Sequence, residues 1–293
     1  MSKPVTIKDI ARKFKCSPST VSRALNNHPA INEDTRRNLQ EYAKKVGYQR
    51  NQVSLSLLNK KTASIGVIVP TINNYYESAI IEGIDAVLQP LGYSLHICVT
   101  NEQYLLEQGY VEKLLSNRVE GIFVSVSQET YDGGHYEHFE NVYNRSLPLI
   151  FIDREYEGFA AGSVTIDDYL GAFVAVEHLI ATGRKRIAHL RGPQGMSVAD
   201  QRYRGYIECL QQHGFDRDET LIVHTDFKVE SAIAPVDQLL GLPSRPDAIF
   251  CVNDQTAIGA MKVIRDKGLR IPEDIAVAGF DDSPISGYIS PSL

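Results

Sequence analysis

Residues 17–26, SPSTVSRALN, crowd hydroxyls, an arginine and an amide into one short stretch. Side chains of these types hydrogen-bond phosphates and base edges. A second polar set follows apolar runs further along the chain. It comprises Asn73, Asn74, Tyr75 and Tyr76, then Ser125 and Ser127, then Asp153. Later come residues 191–194, Asn253-Asp254 and Asp281-Asp282. Carboxylates, amides and aromatic faces of this kind suit the binding of a polar ligand. Asp281, Asp282 and His189 could be arranged as an acid and base, but no nucleophile or metal-ligand cluster accompanies them. No glycine-rich phosphate loop follows the first apolar run, where IVPTINNYY stands instead. The expected chemistry is therefore binding, with no catalytic residue, metal or cofactor.

The first polar set needs a helix to present it. Thr6 can cap one helix, with Asp9 completing a capping box. Ile7, Ile10, Ala11 and Phe14 recur at helical spacing. The break falls at Lys15-Cys16, after which Ser17 caps a second helix and Pro18 takes its first position. Val21, Ala24 and Leu25 face the first helix, leaving Ser19, Thr20, Ser22 and Arg23 outside. This is the pattern of a helix-turn-helix, and an ordinary helical hairpin is the plainer alternative. Asn32 caps a third helix with Glu33 and Asp34 in its first turn. Leu39, Tyr42, Ala43 and Val46 give it an apolar face, and Gly47 ends it.

Charge separates this head from the rest. Residues 1–61 hold 13 Lys/Arg against 4 Asp/Glu, a net of +9, whereas the remainder carries a net of −15. A basic head on an acidic body suits a nucleic-acid-binding module joined to something that does not bind nucleic acid. The length of 293 residues fits about two domains. No apolar run approaches a membrane span, and the N-terminus lacks the apolar core of a signal peptide, so a cytoplasmic protein is expected. Cys16, Cys98, Cys209 and Cys251 match no metal spacing and are expected as buried, reduced thiols in helices and strands.

Residues 52–58, QVSLSLL, form a short apolar stretch too small to be a stable helix alone. From residue 64 apolar strand-like runs alternate with amphipathic helical runs. Strands are expected at 65–69, 94–99, 121–126, 147–153 and 164–166. Four more would follow, at 186–190, 221–225, 248–252 and 275–280, with helices between successive runs. Strands apolar throughout, each followed by a helix, imply parallel sheets covered on both faces. The pause at 155–163, EYEGFAAGS, marks a crossing between two lobes. Ligands of such sheets sit at the carboxyl ends of the strands, where the second polar set falls.

The chain closely resembles the LacI/GalR family of bacterial transcription repressors. The resemblance rests on TIKDIA…SPSTVSRALN, Gly47-Tyr48, Asn51, Leu57, IGVIVP at 65–70 and IDR at 152–154. EHLIATGRKRIAHLRGP at 177–193, VNDQTAIGAM at 252–261 and VAGFDDSP at 277–284 complete it in order. It implies an α/β protein with a helix-turn-helix head (1–47), a hinge (48–62) and a two-lobed core like that of periplasmic binding proteins. The lobes would span 63–160 and 161–289, with 290–293 starting a crossing back to the first lobe. It also implies a homodimer on a pseudopalindromic DNA operator. The DNA contacts would come from Thr6, Ser17, Pro18, Ser19, Thr20, Ser22, Arg23 and Asn26, with Asn51 and Leu57 in the hinge. Pro18 and Ser19 would meet bases, Thr20 and Ser22 phosphates, and Leu57 would wedge between base pairs. Arg50 and Leu55 depart from the family's usual proline and arginine, so the hinge is atypical.

The same resemblance places an effector against Tyr75, Tyr76, Ser125, Asp153, Arg202, Asn253 and Asp281. An arginine, carboxylates and an amide beside an aromatic wall suit the paired hydroxyls of a sugar or sugar acid. A purine or a partner protein is the alternative effector, and a sugar-binding transport protein the alternative class. Family members usually run on past the position of Leu293. A chain ending there is expected to expose apolar surface in both lobes and to lose regulation.

Overall fold

The computed structural model describes residues 5–48, 61–154, 156, 158 and 160–293. The expected hinge positions Arg50, Asn51, Leu55 and Leu57 lie outside the described residues. The chain divides into two compact units, Met1–Thr62 and Ala63–Leu293.

In the first unit, α1 (Ile7–Lys13), α2 (Pro18–Leu25) and α3 (Glu33–Lys45) surround one small core. Ile10, Val21, Ala24 and Leu39 are fully buried there. Both the backbone N–H and the hydroxyl of Thr6 donate to the Asp9 carboxylate. Lys15 takes a left-handed backbone (φ 49), which closes the tight turn. The N–H of Cys16 reaches back to the Ala11 carbonyl across that turn. The Asn32 side chain caps α3 by accepting from the Asp34 N–H. Gln40 donates from α3 to the Ala24 carbonyl, tying the end of α2 to α3.

The second unit contains two parallel sheets. The first has the order β2-β1-β3-β4-β5, from β1 (Ser64–Val69), β2 (Ser94–Val99), β3 (Ile122–Val124), β4 (Leu149–Ile152) and β5 (Gly162–Val164). Its helices are α4 (Tyr75–Leu88), α5 (Tyr104–Ser116), α6 (Gln128–Gly133) and α7 (Glu137–Asn144). The second sheet has the order β7-β6-β8-β9, from β6 (Ile187–Arg191), β7 (Ile222–His224), β8 (Ala248–Cys251) and β9 (Ala276–Ala278). It carries α8 (Asp168–Ala181), α9 (Ser197–Gln212), α10 (Val229–Leu240) and α11 (Asp254–Asp266). Central strands are buried on both faces because helices cover both, which is why their sequences run apolar without alternation.

Three expectations need correction. The strand expected at 164–166 occupies Gly162–Val164 and pairs with β4 in the first sheet. The lobes therefore part beyond residue 164 rather than at 160/161. β5 is an exposed edge strand of small residues, so it carries no apolar signature. The short, polar α6 has no amphipathic run to announce it. Cys16 sits half-buried in the turn after α1 rather than inside a helix or strand, whereas Cys98, Cys209 and Cys251 are buried. All four thiols are free.

Apolar side chains stand exposed in both lobes, among them Val87, Leu91 and Leu105 in the first and Leu170, Val174 and Tyr288 in the second. Among the described residues no helix is long and apolar enough to cross a membrane.

Candidate functional site

The start of α2 gathers hydroxyls at the surface of the first unit. The Ser17 hydroxyl accepts from the Thr20 N–H at 3.0 Å, capping the helix. It also lies 2.6 Å from the Ser19 hydroxyl and 2.8 Å from that of Thr20. Ser17, Pro18, Ser19, Arg23 and Asn26 are exposed, and Thr20 and Ser22 are half-buried. Thr6 is exposed at the cap of α1. Val21 and Ala24 are buried behind this face, so the apolar side holds α2 in place and the polar side remains available. A helix N-terminus with surface hydroxyls and a nearby arginine is equipped to meet phosphates and base edges.

In the second unit a cavity of about 560 Å³ opens between the two sheets' carboxyl ends. The first lobe contributes Tyr76, Glu77, Glu102, Asp153 and Arg154. The second contributes Arg202, Phe227, Asn253 and Asp281. Each is set by a strand end or by the helix after it, which is where parallel sheets place ligands.

Arg202 is the central group of the second lobe. It is 4% exposed on α9, and its Nε donates to Asp168 at 2.8 Å. One terminal nitrogen donates to the Val252 carbonyl at 2.6 Å and lies 3.8 Å from Asp281. Its guanidinium also stacks 3.7 Å from the centre of the Phe280 ring. The close approach of α9 to α8 makes the Asp168 pair reachable. A Cβ on Gly205 would collide with the Tyr169 carbonyl, so only glycine allows that approach.

Asp281 is positioned by a buried carboxylate beneath it. Asp254 accepts from the N–H groups of Phe280, Asp281 and Ser283 and from the hydroxyls of Ser283 and Ser286. These five bonds hold the loop after β9 in place. Burial pushes the Asp281 carboxyl up to about 6, against the pull of Arg202. Burial likewise raises Asp168, with Arg202 opposing it.

The first lobe is built in parallel fashion. Arg154 is 6% exposed and donates to both Glu102 oxygens, at 2.8 and 3.0 Å, and to the Val126 carbonyl. Burial works against its charge, but Glu102 more than offsets that and holds the Arg154 pKa above its usual range. Asp153 takes a left-handed backbone (φ 63) at the end of β4. Burial, and next the Asp153 carboxylate, push the Tyr76 hydroxyl well above the ordinary tyrosine range.

Not every expected residue joins this group. Tyr75 is 52% exposed and does not line the cavity, because one residue along a helix turns a side chain by a third of a circle. Ser125 is fully buried below the cleft, and its hydroxyl has no hydrogen-bond partner among the described residues. Asn253 does line the cavity, but its side chain is engaged. Its oxygen caps α11 through the Thr256 N–H, and its amide donates to the Phe227 carbonyl. Glu77, Glu102, Arg154 and Asp168 join the site without having been singled out individually. Glu77 reads in sequence as an ordinary first-turn acid, and the other three acquire meaning only through distant partners.

The comparisons with known proteins agree with this construction. Residues 6–51 match the family model described as bacterial regulatory proteins, lacI family. Residues 176–293 match a periplasmic binding protein-like domain. A probable HTH-type transcriptional repressor, ExuR of Bacillus subtilis, is 35% identical over 290 residues, covering 99% of this chain and 85% of the relative. The chain belongs to the lacI family. Its member CytR of Escherichia coli, an HTH-type transcriptional repressor, is 32% identical across 98% of this chain and 83% of its own length. The lac repressor dimer bound to operator and an anti-inducer superposes with a TM-score of 0.88 at 27% identity, over 99% of this chain and 86% of that one. A CelR–cellobiose complex gives 0.71 at 26%, over the same shares of the two chains. This lacI-family chain is therefore a ligand-responsive, DNA-binding transcription regulator with a helix-turn-helix head and a binding-protein-like body.

Proposed function

We propose that the protein is a repressor that binds a pseudopalindromic operator as a homodimer and releases it when a sugar enters the cleft. The observation that carries this reading is the convergence of Tyr76, Asp153, Arg202 and Asp281 from both lobes on one cavity. Carboxylates accept from sugar hydroxyls, and the tyrosine supplies a flat apolar face. A ligand that bridges the lobes favours their closed arrangement, and closure is the element able to alter DNA affinity. In the head, Pro18 and Ser19 meet base edges, Thr20 and Ser22 meet phosphates, and Arg23 meets a base or a phosphate. Thr6, Ser17 and Asn26 flank them. The lac repressor's capture as a dimer on its operator supports the paired heads.

Selection of DNA by the full chain, followed by fluorescence anisotropy on the selected sequence, tests the reading. Affinity should fall by about 5- to 150-fold when the right sugar is present. Operator binding that stays constant across hexoses, pentoses, disaccharides and sugar acids would sink the effector assignment.

A further inference from the structure

The charge around the cleft is lopsided. Among the described residues six carboxyl groups line it, on Glu77, Glu102, Asp153, Asp226, Glu230 and Asp281. Three cations face them, on Arg154, Arg202 and Lys228. Both arginines are already engaged by carboxylates and carbonyls of this chain. Lys228 is largely exposed and lies 3.4 Å from Asp226. Among the described residues an anionic ligand would find no buried cation that is not already engaged.

Glu77 stands apart within this set. It is 3% exposed, lines the cavity, and its Oε2 has no hydrogen-bond partner among the described residues. A buried carboxyl oxygen without a partner is costly, and a donor that reaches it recovers that cost. Glu77 lies in the first turn of α4, where the helix dipole favours negative charge. The charged groups acting on it are Asp153 and Arg154 from the end of β4, Glu102 from the loop after β2, and Asp281 from the loop after β9. Three of these four are acids. Burial first, and then Asp153, push its carboxyl up to about 8.

We propose that the effector selected by this cleft carries a protonated amine beside its hydroxyls, as an amino sugar does, with Glu77 as the counter-ion the amine meets. This rests on the sugar reading above and narrows it away from the acids. An ammonium group brings three donors and the charge that the lining lacks. On binding, Glu77 gives its proton to solvent and accepts a charge-assisted hydrogen bond from the amine. Asp153 and Asp281 remain to accept from neighbouring hydroxyls.

Isothermal titration of the full chain tests this. The probes are 2-amino-2-deoxyhexoses, the parent hexoses and the hexuronic acids of the gluco, galacto and manno series, at a pH below the amine's own pKa. In the series that binds, the amine should bind about tenfold tighter than its hexose, and the uronate weakest. The Glu77→Gln variant, of the same shape without the charge, should lose that tenfold for the amine and with it the preference. A hexose or uronate that binds tightest overturns the inference, as does an amine preference that survives in Glu77→Gln. Either outcome leaves the sugar reading intact; silence from every probe removes this inference, and the operator assay across pentoses and disaccharides then decides the sugar reading. Should Glu77→Gln fail to fold, the ranking on the unaltered protein decides.

Discussion

The head and the body hold their polar residues by different means. In the head the helix caps are local, Thr6 with Asp9, Ser17 with Thr20 and Asn32 with Asp34, and the Gln40 bond to the Ala24 carbonyl reaches further. In the body the contacts span the chain. Arg154 reaches Glu102, Arg202 reaches Asp168 and Val252, and Asp254 gathers Phe280, Ser283 and Ser286. A local cap forms wherever its helix forms. A long-range ion pair exists only once several strands and helices have packed. Damage to the head's polar residues should therefore stay confined, and damage to the body's should spread.

The largest effect should come from Arg202→Ala. It strands the buried Asp168 carboxylate and the Val252 carbonyl, so a loss of about 3–5 kcal/mol is expected. Urea denaturation monitored in the body would show it, and protection of head amides against hydrogen exchange should hardly change. Equal losses in both regions would break the contrast.

The pH dependence comes next, and it resides in the body. His189 is fully buried, its Nδ1–H donates to the Phe250 carbonyl, and burial lowers its pKa to about 3. The unfolded chain takes up a proton near the usual histidine range while the native state does not. Stability should thus fall as pH drops from roughly 6.5 toward 3. Glu77 acts in the opposite sense. Its folded pKa is raised, so its contribution is greatest below the unfolded value of roughly 4.5 and is lost as pH rises toward about 8. Melting temperature against pH should show both slopes. Glu77→Gln should flatten the alkaline one, and an unchanged slope would refute the assignment.

A smaller loss is expected for Ser17→Ala, about 1 kcal/mol from the missing cap. Hydrogen exchange in the full chain should register it within α2 and its neighbours. The smallest effect on stability belongs to Arg23→Ala, within about 0.5 kcal/mol, because the side chain is exposed. Its operator affinity should nevertheless drop by about 1–3 kcal/mol. Anisotropy paired with thermal melting separates the two, and intact affinity would exclude Arg23 from the DNA face.

How much could be read in advance follows the same division. The caps at Thr6, Ser17 and Asn32 were legible because each involves residues two or three apart and a side chain suited to one helical position. Most of the sheet strands were legible because burial on both faces leaves an uninterrupted apolar run. β5 was not, since an exposed edge strand of Gly162, Ser163 and Val164 has no pattern to display. Tyr75 and Tyr76 look equivalent in the chain, yet helical geometry turns one outward and the other into the cleft. Ser125 follows its strand as expected but is fully buried and does not line the cleft.

By itself, the sequence determined the head, the charge division between head and body, the parallel architecture and the family. These depend on periodicity, local capping and ordered motifs, all of which act over short stretches. Only the tertiary structure decided the electrostatics of the cleft. It matched Arg154 to Glu102 and Arg202 to Asp168, suspended Asp281 from Asp254, and left the Glu77 Oε2 buried without a hydrogen-bond partner among the described residues. The partner of a charge is set by which strand ends and helix faces meet, and that follows from packing across the whole unit.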